Sequence, residues 1–597
     1  MIVYTVGVNP FRLIQVISLS IMIGMAPLCY SASQPLSLDE IKQVADTGAV
    51  GLATRLLEQQ QPHTLSKPDE WMQWETQRLQ FYIDNKNWPK VIERTDQLPA
   101  FVSAEFIQWA LTRRAEAQIA AQQGAAARTT LRRLIWQSLP EDTDEKKFYQ
   151  WRQLIIQSYL ADGLADDAQT ASIKLAQDYD SSAQDKILQA HIALLNDRTS
   201  DAISLLKPLA EQPQAAALQL LAQLRGQHRS SKHVLQAALR YLRENKLAKE
   251  DRANLWAVAA EAAHHSGKQA STANAMEHVL VMQKDMTLPD SIISLGNEQL
   301  WNAYVEYALY ISNKEQLLVG QDQRWMEVAS QIQSKRPVGA RAMHAFLMLR
   351  AQSDDVKNRA AQQFVRLVTK RRHGKQLLQA LFEPSRYFKS TASIPEPVRH
   401  ELVDIALAQS NIDRASEVMA SIEKPPKGSD QFMWQLRRAR ILVLGNQPKV
   451  GAQAVQDILT ANKQLEQIQI DRLLQVVFDL QVAGEHEQAY QLFEKTINHT
   501  SDDKIQRELL FWMADSRKAQ ERYLDAARLY LKSAAHPDPK NMDPWAQTAR
   551  YHAAESLARA GLYADAESIF SHLLRVTDDP NRRARLKSEL QKLWAMQ

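Results

Sequence analysis

Four aromatic residues recur at three-residue intervals in the middle of the chain: Trp301, Tyr304, Tyr307 and Tyr310. On a helix this spacing forms a slowly drifting stripe of rings. Such a stripe could bind a peptide or a glycan in a groove, because aromatic rings supply contact area at a small entropy cost. Alternatively, the rings fill a joint between two parts of the protein, because aromatic side chains are commonly buried. The spacing leaves both roles open.

The densest group of basic side chains lies further along the same half of the chain. We predict that Arg371 and Arg372 in this group contact an acidic partner, a phospholipid surface or an anionic polysaccharide. Alternatively, Gly374 follows a helix end and the cations before it complement the helix dipole. The whole group is Arg366, Lys370, Arg371, Arg372, His373 and Lys375.

Two segments contain residue types that bind metals. In the first, Glu261, His264 and His265 lie close together in the sequence. The two adjacent histidines would point about 100° apart on a helix, and no third ligand has a fixed spacing from them. The acidic run 141–145 lacks the glycine and the closing glutamate of a calcium loop. The sequence also lacks a glycine-rich phosphate loop, a nucleophile elbow and a zinc-protease motif. We therefore predict no metal, no cofactor and no catalytic residue.

The composition limits the classes of fold and partner. The 597 residues include only 17 glycines, and strand-like alternation is hard to find past residue 40, which favours an all-α protein. Lys plus Arg number 72 and Asp plus Glu 68, a net charge of +4. This charge is far below what a dense nucleic-acid-binding face requires, so nucleic acid is not expected as the principal partner.

The N-terminal residues resemble a targeting segment. Arg12 precedes an apolar run, residues 13–28, and small residues follow it, which is the order of a secretory signal peptide. We predict a signal peptide at 1–33 and an exported, periplasmic protein; the alternative is an uncleaved anchor at 13–28 that faces the periplasm. Cleavage would also remove Cys29, the single cysteine, and leave a chain without thiols.

A short frame recurs along the chain and must position these candidate residues. It has a turn residue, an alanine five positions later, and bulky apolar residues at plus nine or plus twelve. The frames are Gly163/Ala168/Leu175, Asp197/Ala202/Leu206/Leu209, Ser410/Ala415/Met419/Ile422, Gly484/Ala489/Phe493 and Gly561/Ala566/Phe570/Leu573. Upstream of each turn, apolar or small residues at minus seven and minus four share one helix face. The frame therefore predicts helix hairpins in which the alanine permits close approach. Ser37 and Glu40 form a capping box that predicts the start of the first helix.

The unit Leu510–Pro539 shows the pattern most fully, with Ala514, Tyr523, Ala526 and Tyr530 at the expected positions. Together with the frames, these residues resemble the tetratricopeptide repeat family, or its looser Sel1-like variety. Thr272 departs from the pattern, because alanine is usual there. The resemblance implies a right-handed superhelix whose grooves bind other proteins.

We therefore predict an all-α solenoid of antiparallel helix hairpins in two arms. Clusters of proline and glycine at 286–330 and 383–398 interrupt the repeats. The predicted domains are a first solenoid at 34–285, an irregular helical joint at 286–397, and a second solenoid at 398–597 that ends in a capping helix. From the resemblance we predict a non-catalytic protein scaffold. The signal segment, the thiol-free mature chain and the absence of other targeting motifs place it in the bacterial cell envelope, bound to the membrane only through the N-terminal segment if that stays uncleaved. The alternative is a glycan-binding component of exopolysaccharide or peptidoglycan metabolism.

Overall fold

The structure is a computed structural model that describes residues 37–46, 50–62, 67–138, 143–210, 212–244, 246–288, 292–426, 428–462, 464–540 and 542–596. Within these ranges it contains thirty α-helices and no β-strand. The predicted all-α fold is therefore confirmed. The predicted targeting segment 1–33, Cys29 and residues 141–142 of the acidic run lie outside the described residues.

The chain divides into two compact units, residues 1–222 and 223–597, and the division falls inside one helix. The predicted domain boundaries after 285 and after 397 both lie in the second unit, and they stay predictions. The helices of the first unit, with the one that crosses the division, are α1 Leu38–Asp46, α2 Val50–Gln60, α3 Pro68–Asp84, α4 Trp88–Arg94, α5 Ala104–Ala120, α6 Gly124–Gln137, α7 Glu145–Ala161, α8 Ala165–Asp178, α9 Ala183–Leu195, α10 Thr199–Leu206 and α11 Pro213–Arg225.

The second unit has a longer series of helices. They are α12 Ser231–Glu244, α13 Lys249–His265, α14 Gln269–Val281, α15 Asn297–Lys314, α16 Asp322–Ile332, α17 Pro337–Arg350, α18 Asp354–Thr369, α19 Gly374–Leu381, α20 Glu396–Ala408, α21 Ile412–Ala420, α22 Gln431–Leu444, α23 Pro448–Ala461, α24 Gln467–Val482, α25 His486–Ile497, α26 Asp503–Ala519, α27 Tyr523–Ala535, α28 Pro544–Arg559, α29 Tyr563–Val576 and α30 Pro580–Met596. Among the described residues, no helix is both long and apolar enough to cross a bilayer.

Most helices pack on the next helix along the chain, as consecutive hairpins require. The segment 286–397, predicted as an irregular joint, contains helices α15–α19. Its packing order differs from the rest, because α14 and α15 both contact α17 and α19. This segment therefore forms a local bundle within the second unit.

The predicted hairpin turns are confirmed by their backbone conformation. Each turn residue of the five frames has a positive φ: Gly163 at 72°, Asp197 at 55°, Ser410 at 57°, Gly484 at 83° and Gly561 at 82°. The N–H of the following residue donates to the carbonyl oxygen five residues earlier at 2.8–3.0 Å. This bond is the signature of a Schellman helix end, which stops one helix and lets the chain reverse.

The small residue of each frame lies at the contact between helices. Ala168, Ala202, Ala415, Ala489 and Ala566 have no exposed surface. The bulky residues that follow, such as Phe493 and Phe570, are also buried. The frame thus predicts both the turn and the nesting of the second helix, because an alanine brings two backbones close and the larger side chain fills the next gap.

Gly124 is a point of closer approach, and a substitution there tests the nesting of hairpins. A Cβ at this position would lie 2.1 Å from the carbonyl oxygen of Ser158 in α7 and 2.5 Å from Oδ1 of Asp162. Because a backbone oxygen can move only if α7 shifts, Gly124→Ala should lower the free energy of unfolding by about 1–3 kcal/mol. Urea denaturation would measure the change. The control is Ala126→Ser at an exposed position of α6, where we expect no more than about 0.5 kcal/mol. An equal effect of both substitutions would contradict this packing.

Ion pairs also join equivalent helices of successive hairpins. Lys518 Nζ of α26 lies 2.6 Å from Oε2 of Glu555 in α28, and His552 Nδ1 lies 3.2 Å from the same oxygen. The hydrogen bond from His552, aided by the Lys518 ammonium, lowers the pKa of Glu555 to about 2. Because an unfolded Glu has a pKa of about 4.3, this stabilisation is present above pH 4.3 and is lost as the pH falls towards 2.

Glu555→Gln should therefore lower the free energy of unfolding of the second unit by about 1–2 kcal/mol at pH 7. The variant should also lose part of the acid sensitivity between pH 4.3 and pH 2. Hydrogen exchange of α26 and α28 at several pH values would measure both effects. Glu521→Gln, at an exposed turn, serves as the control. A variant that keeps the full acid sensitivity of the parent would refute the role of Glu555.

A candidate partner-binding groove

The predicted aromatic stripe lies on α15, and most of it is buried. Trp301 and Tyr304 have no exposed surface and Tyr307 is 6% exposed, whereas Tyr310 is 42% exposed. The Trp301 ring lies 5.3–6.3 Å from several aromatic neighbours, including Phe382 at 5.4 Å, and its Nε1 donates to the Leu381 carbonyl at 3.1 Å. The alternative in which the rings fill a packed joint therefore fits Trp301 and Tyr304. Of the four rings, only that of Tyr310 is well exposed to solvent.

Tyr304 also takes part in a buried polar cluster around one carboxylate. Its hydroxyl donates to Oε1 of Glu277 at 2.7 Å. Arg341 donates to both oxygens of Glu277, from Nε at 2.8 Å and from Nη2 at 2.7 Å, and Arg371 pairs with Oε2. Burial is the main reason that the pKa of Tyr304 rises well above its ordinary value. Glu277 therefore links α14 to α15, α17 and the turn before α19.

This cluster brings two of the predicted site residues together. The side chain of Arg371 is 28% exposed and pairs with the buried carboxylate of Glu277. This pairing neutralises much of the positive charge of Arg371. Arg372 lies in the same turn with an exposed side chain. The structure therefore connects Arg371 with Tyr304 through Glu277, and it leaves Arg372 as the more accessible cation of the predicted pair.

The histidine pair has no metal-binding geometry. Glu261 pairs with Arg225 at 3.1 Å, and the rings of His264 and His265 are 6.0 Å apart. Within the part of the chain that the structure describes, no group of three or more His, Cys, Asp or Glu could hold a metal ion.

Two cavities of about 570 Å³ lie in the first unit. The first is beside Glu75, which is 1% exposed. Both oxygens of Glu75 accept from Arg94, at 2.9 and 2.7 Å, and Gln61 donates at 3.0 Å. Because its principal charges already pair with one another, we regard this cavity as part of a structural ion cluster.

The second cavity is a groove between the second helices of two successive hairpins. Helix α8 follows the turn at Gly163, helix α10 follows the turn at Asp197, and α9 lies beneath them. The floor is apolar, since Ile192 and Ala193 are each 2% exposed, and Ile173 on the wall is 52% exposed. The full lining is Gln169, Ser172, Ile173, Ala176, Gln177, Gln189, Ile192, Ala193, Arg198, Asp201, Ser204 and Leu205.

Polar groups line the rim of this groove. Gln169 Oε1 accepts from Asn196 at 3.3 Å and from Arg198, whose Nη1 lies 3.9 Å from Asp201. The side-chain amides of Gln177 and Gln189 form no hydrogen bond with any described residue. The groove therefore combines an apolar floor with amide donors and acceptors that stay available to a ligand.

These groove residues were not predicted from the sequence. Gln177 and Gln189 belong to different helices, and glutamine is a common residue of exposed helix faces, so neither one stands out. The available signal was the pairing of two adjacent frames, those of Gly163 and Asp197, since equivalent faces of neighbouring hairpins form a groove.

The chain was compared with known proteins by sequence and by structure. No protein-family model and no curated protein sequence matches it. Similar solved structures include the APC/C hetero-tetramer Cut9–Hcn1, at 12% identity and a TM-score of 0.26, covering 95% of this chain and 98% of that one. Yeast Tom70 is similar at 10% identity and a TM-score of 0.22, covering 94% and 96%. Naa15/Naa10 bound to HypK is similar at 10% identity and a TM-score of 0.19, covering 93% and 96%.

All three are tetratricopeptide-repeat proteins. With TM-scores of 0.26 and below, these similarities are too weak to establish the fold of this chain. The fold is instead established by the turns, the buried alanines and the consecutive helix pairs of this chain, and these agree with the tetratricopeptide-like architecture predicted from the sequence.

Proposed function

We propose that the protein is a non-catalytic scaffold that binds another protein in the bacterial cell envelope. The observation that supports this proposal most is the groove between α8 and α10, which has an apolar floor and free amides on its walls. Repeat proteins use such surfaces for binding, because a stack of hairpins creates long grooves without a reactive centre.

The lining also bears on the alternative of a glycan ligand. None of the twelve lining residues is aromatic, and sugar rings are commonly held against aromatic faces. A protein ligand is therefore preferred, and binding of a purified polysaccharide would favour the alternative.

The envelope location is proposed from the N-terminal sequence alone. A charged residue, an apolar run at 13–28 and small residues up to 33 form the order of a signal peptide. A fusion of residues 1–45 to alkaline phosphatase should be active, because this enzyme folds only after export. An inactive fusion would refute the location.

Chemical crosslinking in living cells, followed by mass spectrometry, tests the function and the location together. We expect crosslinked peptides that join the first unit to one defined envelope protein. A chain that forms no reproducible crosslink to another protein would refute the scaffold proposal.

A further inference from the structure

The groove between α8 and α10 also indicates what kind of ligand it accepts. We propose that it binds an extended, uncharged polypeptide segment of about four residues with an aliphatic side chain on the floor. This inference rests on the proposed function, because it names the chemistry of the partner at the same groove.

The charge of the lining favours an uncharged ligand. Among the twelve lining residues only Arg198 and Asp201 are charged, and they have opposite signs. Arg198 donates to Gln169 and its Nη1 lies 3.9 Å from Asp201, so the two charges face each other within the rim. A charged segment would lose hydration in the groove without gaining a free counter-charge, so neutral residues should bind better.

The length of the groove and the polar groups of its lining favour an extended segment over a helix. The lining of α8 runs from Gln169 to Gln177, which spans about 12 Å at 1.5 Å per residue. An extended chain covers that length with about four residues at roughly 3.3 Å each. A helix would bring few free backbone groups to the amides of this lining, because its N–H and C=O groups already pair within the helix.

The amides favour a ligand with alternating donors and acceptors. The side chains of Gln177 on α8 and Gln189 on α9 each offer an oxygen acceptor and an NH₂ donor. A peptide backbone presents a donor and an acceptor at nearly every residue, so it matches these amides. Between them, Ile173 and Ile192 provide the apolar contact for one aliphatic side chain.

Methyl NMR of the full chain, with labelled isoleucines, tests this proposal. The probe is the blocked peptide acetyl-Ala-Leu-Val-Ala-amide. We expect it to shift the methyl signals of Ile173 and Ile192, while those of Ile107 and Ile155, which pack elsewhere in the first unit, stay unchanged. Gln177→Ala combined with Gln189→Ala should raise the Kd at least tenfold. Lys174→Ala, an exposed position of α8 outside the lining, is the matched control and should leave the Kd unchanged.

Two further probes set the alternatives apart. The charged peptide acetyl-Glu-Leu-Val-Glu-amide and a chitin tetrasaccharide should give much smaller shifts at Ile173 and Ile192. Equal shifts with either probe, no shift with the uncharged peptide, or an unchanged Kd in the double variant would overturn the proposal. In that case, a protein partner still crosslinked in cells by the double variant would leave the scaffold function standing and refute only this ligand.

Discussion

Trp301→Ala is expected to lower the free energy of unfolding of the second unit by about 3–5 kcal/mol. The ring has no exposed surface, and its neighbours include Phe364, Phe382 and Phe388. Truncation removes this apolar contact, leaves a cavity, and deprives the Leu381 carbonyl of its hydrogen bond from Nε1. Hydrogen exchange of peptides from α15 and α18 would measure the loss, because it reports the local free energy of opening.

Tyr310→Ala is the matched control on the same helix. Its ring is 42% exposed, so we expect a loss below about 1 kcal/mol. The comparison separates the two roles considered for the aromatic stripe. If Trp301→Ala left the exchange of α15 and α18 unchanged, the ring would not be a core residue and the packing described here would be wrong.

Glu277→Ala is the second substitution with a large expected effect. It removes the only carboxylate that contacts Arg341 and Arg371 among the described residues, and Arg341 is 5% exposed at its side chain. Breaking a buried ion pair in this way typically costs about 3–5 kcal/mol, since a charge stays buried without its partner. Hydrogen exchange of α14 and α17 should show the loss directly.

Glu306→Ala provides the control for this prediction. Its side chain is 51% exposed and lies 3.9 Å from His264, so its removal should cost less than about 1 kcal/mol. In addition, Arg371→Ala should destabilise α14 more than Arg372→Ala does, because of these two arginines Arg371 is the one that contacts Glu277. Equal losses from Glu277→Ala and Glu306→Ala would contradict the buried cluster.

The hairpins could be predicted from the sequence because their signals are local. A turn residue, an alanine five positions later and a bulky residue one turn further predict a helix end, a close contact and a filled gap. The Ser37–Glu40 capping box is local too, and it is confirmed by bonds of 2.7 and 3.3 Å. Each of these features depends on residues within a few positions of one another.

Other turns were missed because their residues are not typical of a left-handed conformation. Lys86 and Gln122 have φ values of 54° and 58°, and each ends a helix in the same way. Lysine and glutamine rarely adopt this conformation, so composition does not mark them. The buried residues five positions later, Val91 and Ala127, were the available signal.

The candidate sites were harder to predict, because they depend on contacts between distant residues. Glu277 and Arg371 are 94 positions apart in the chain, and no local pattern pairs them. The basic group around Arg371 therefore looked like a surface feature. The groove was missed for a similar reason, since Gln177 and Gln189 gain meaning only when α8 and α9 pack together.

Site-specific photocrosslinking in living cells tests the central claim most directly, namely that the groove between α8 and α10 holds a protein partner. A photoreactive amino acid replaces Ile173 on the groove wall or, in a parallel strain, Lys174, the next residue of α8. We predict one discrete adduct with another protein from position 173 and none from position 174, because these side chains point about 100° apart. The absence of an adduct at position 173, or the same adduct from both positions, would contradict the claim.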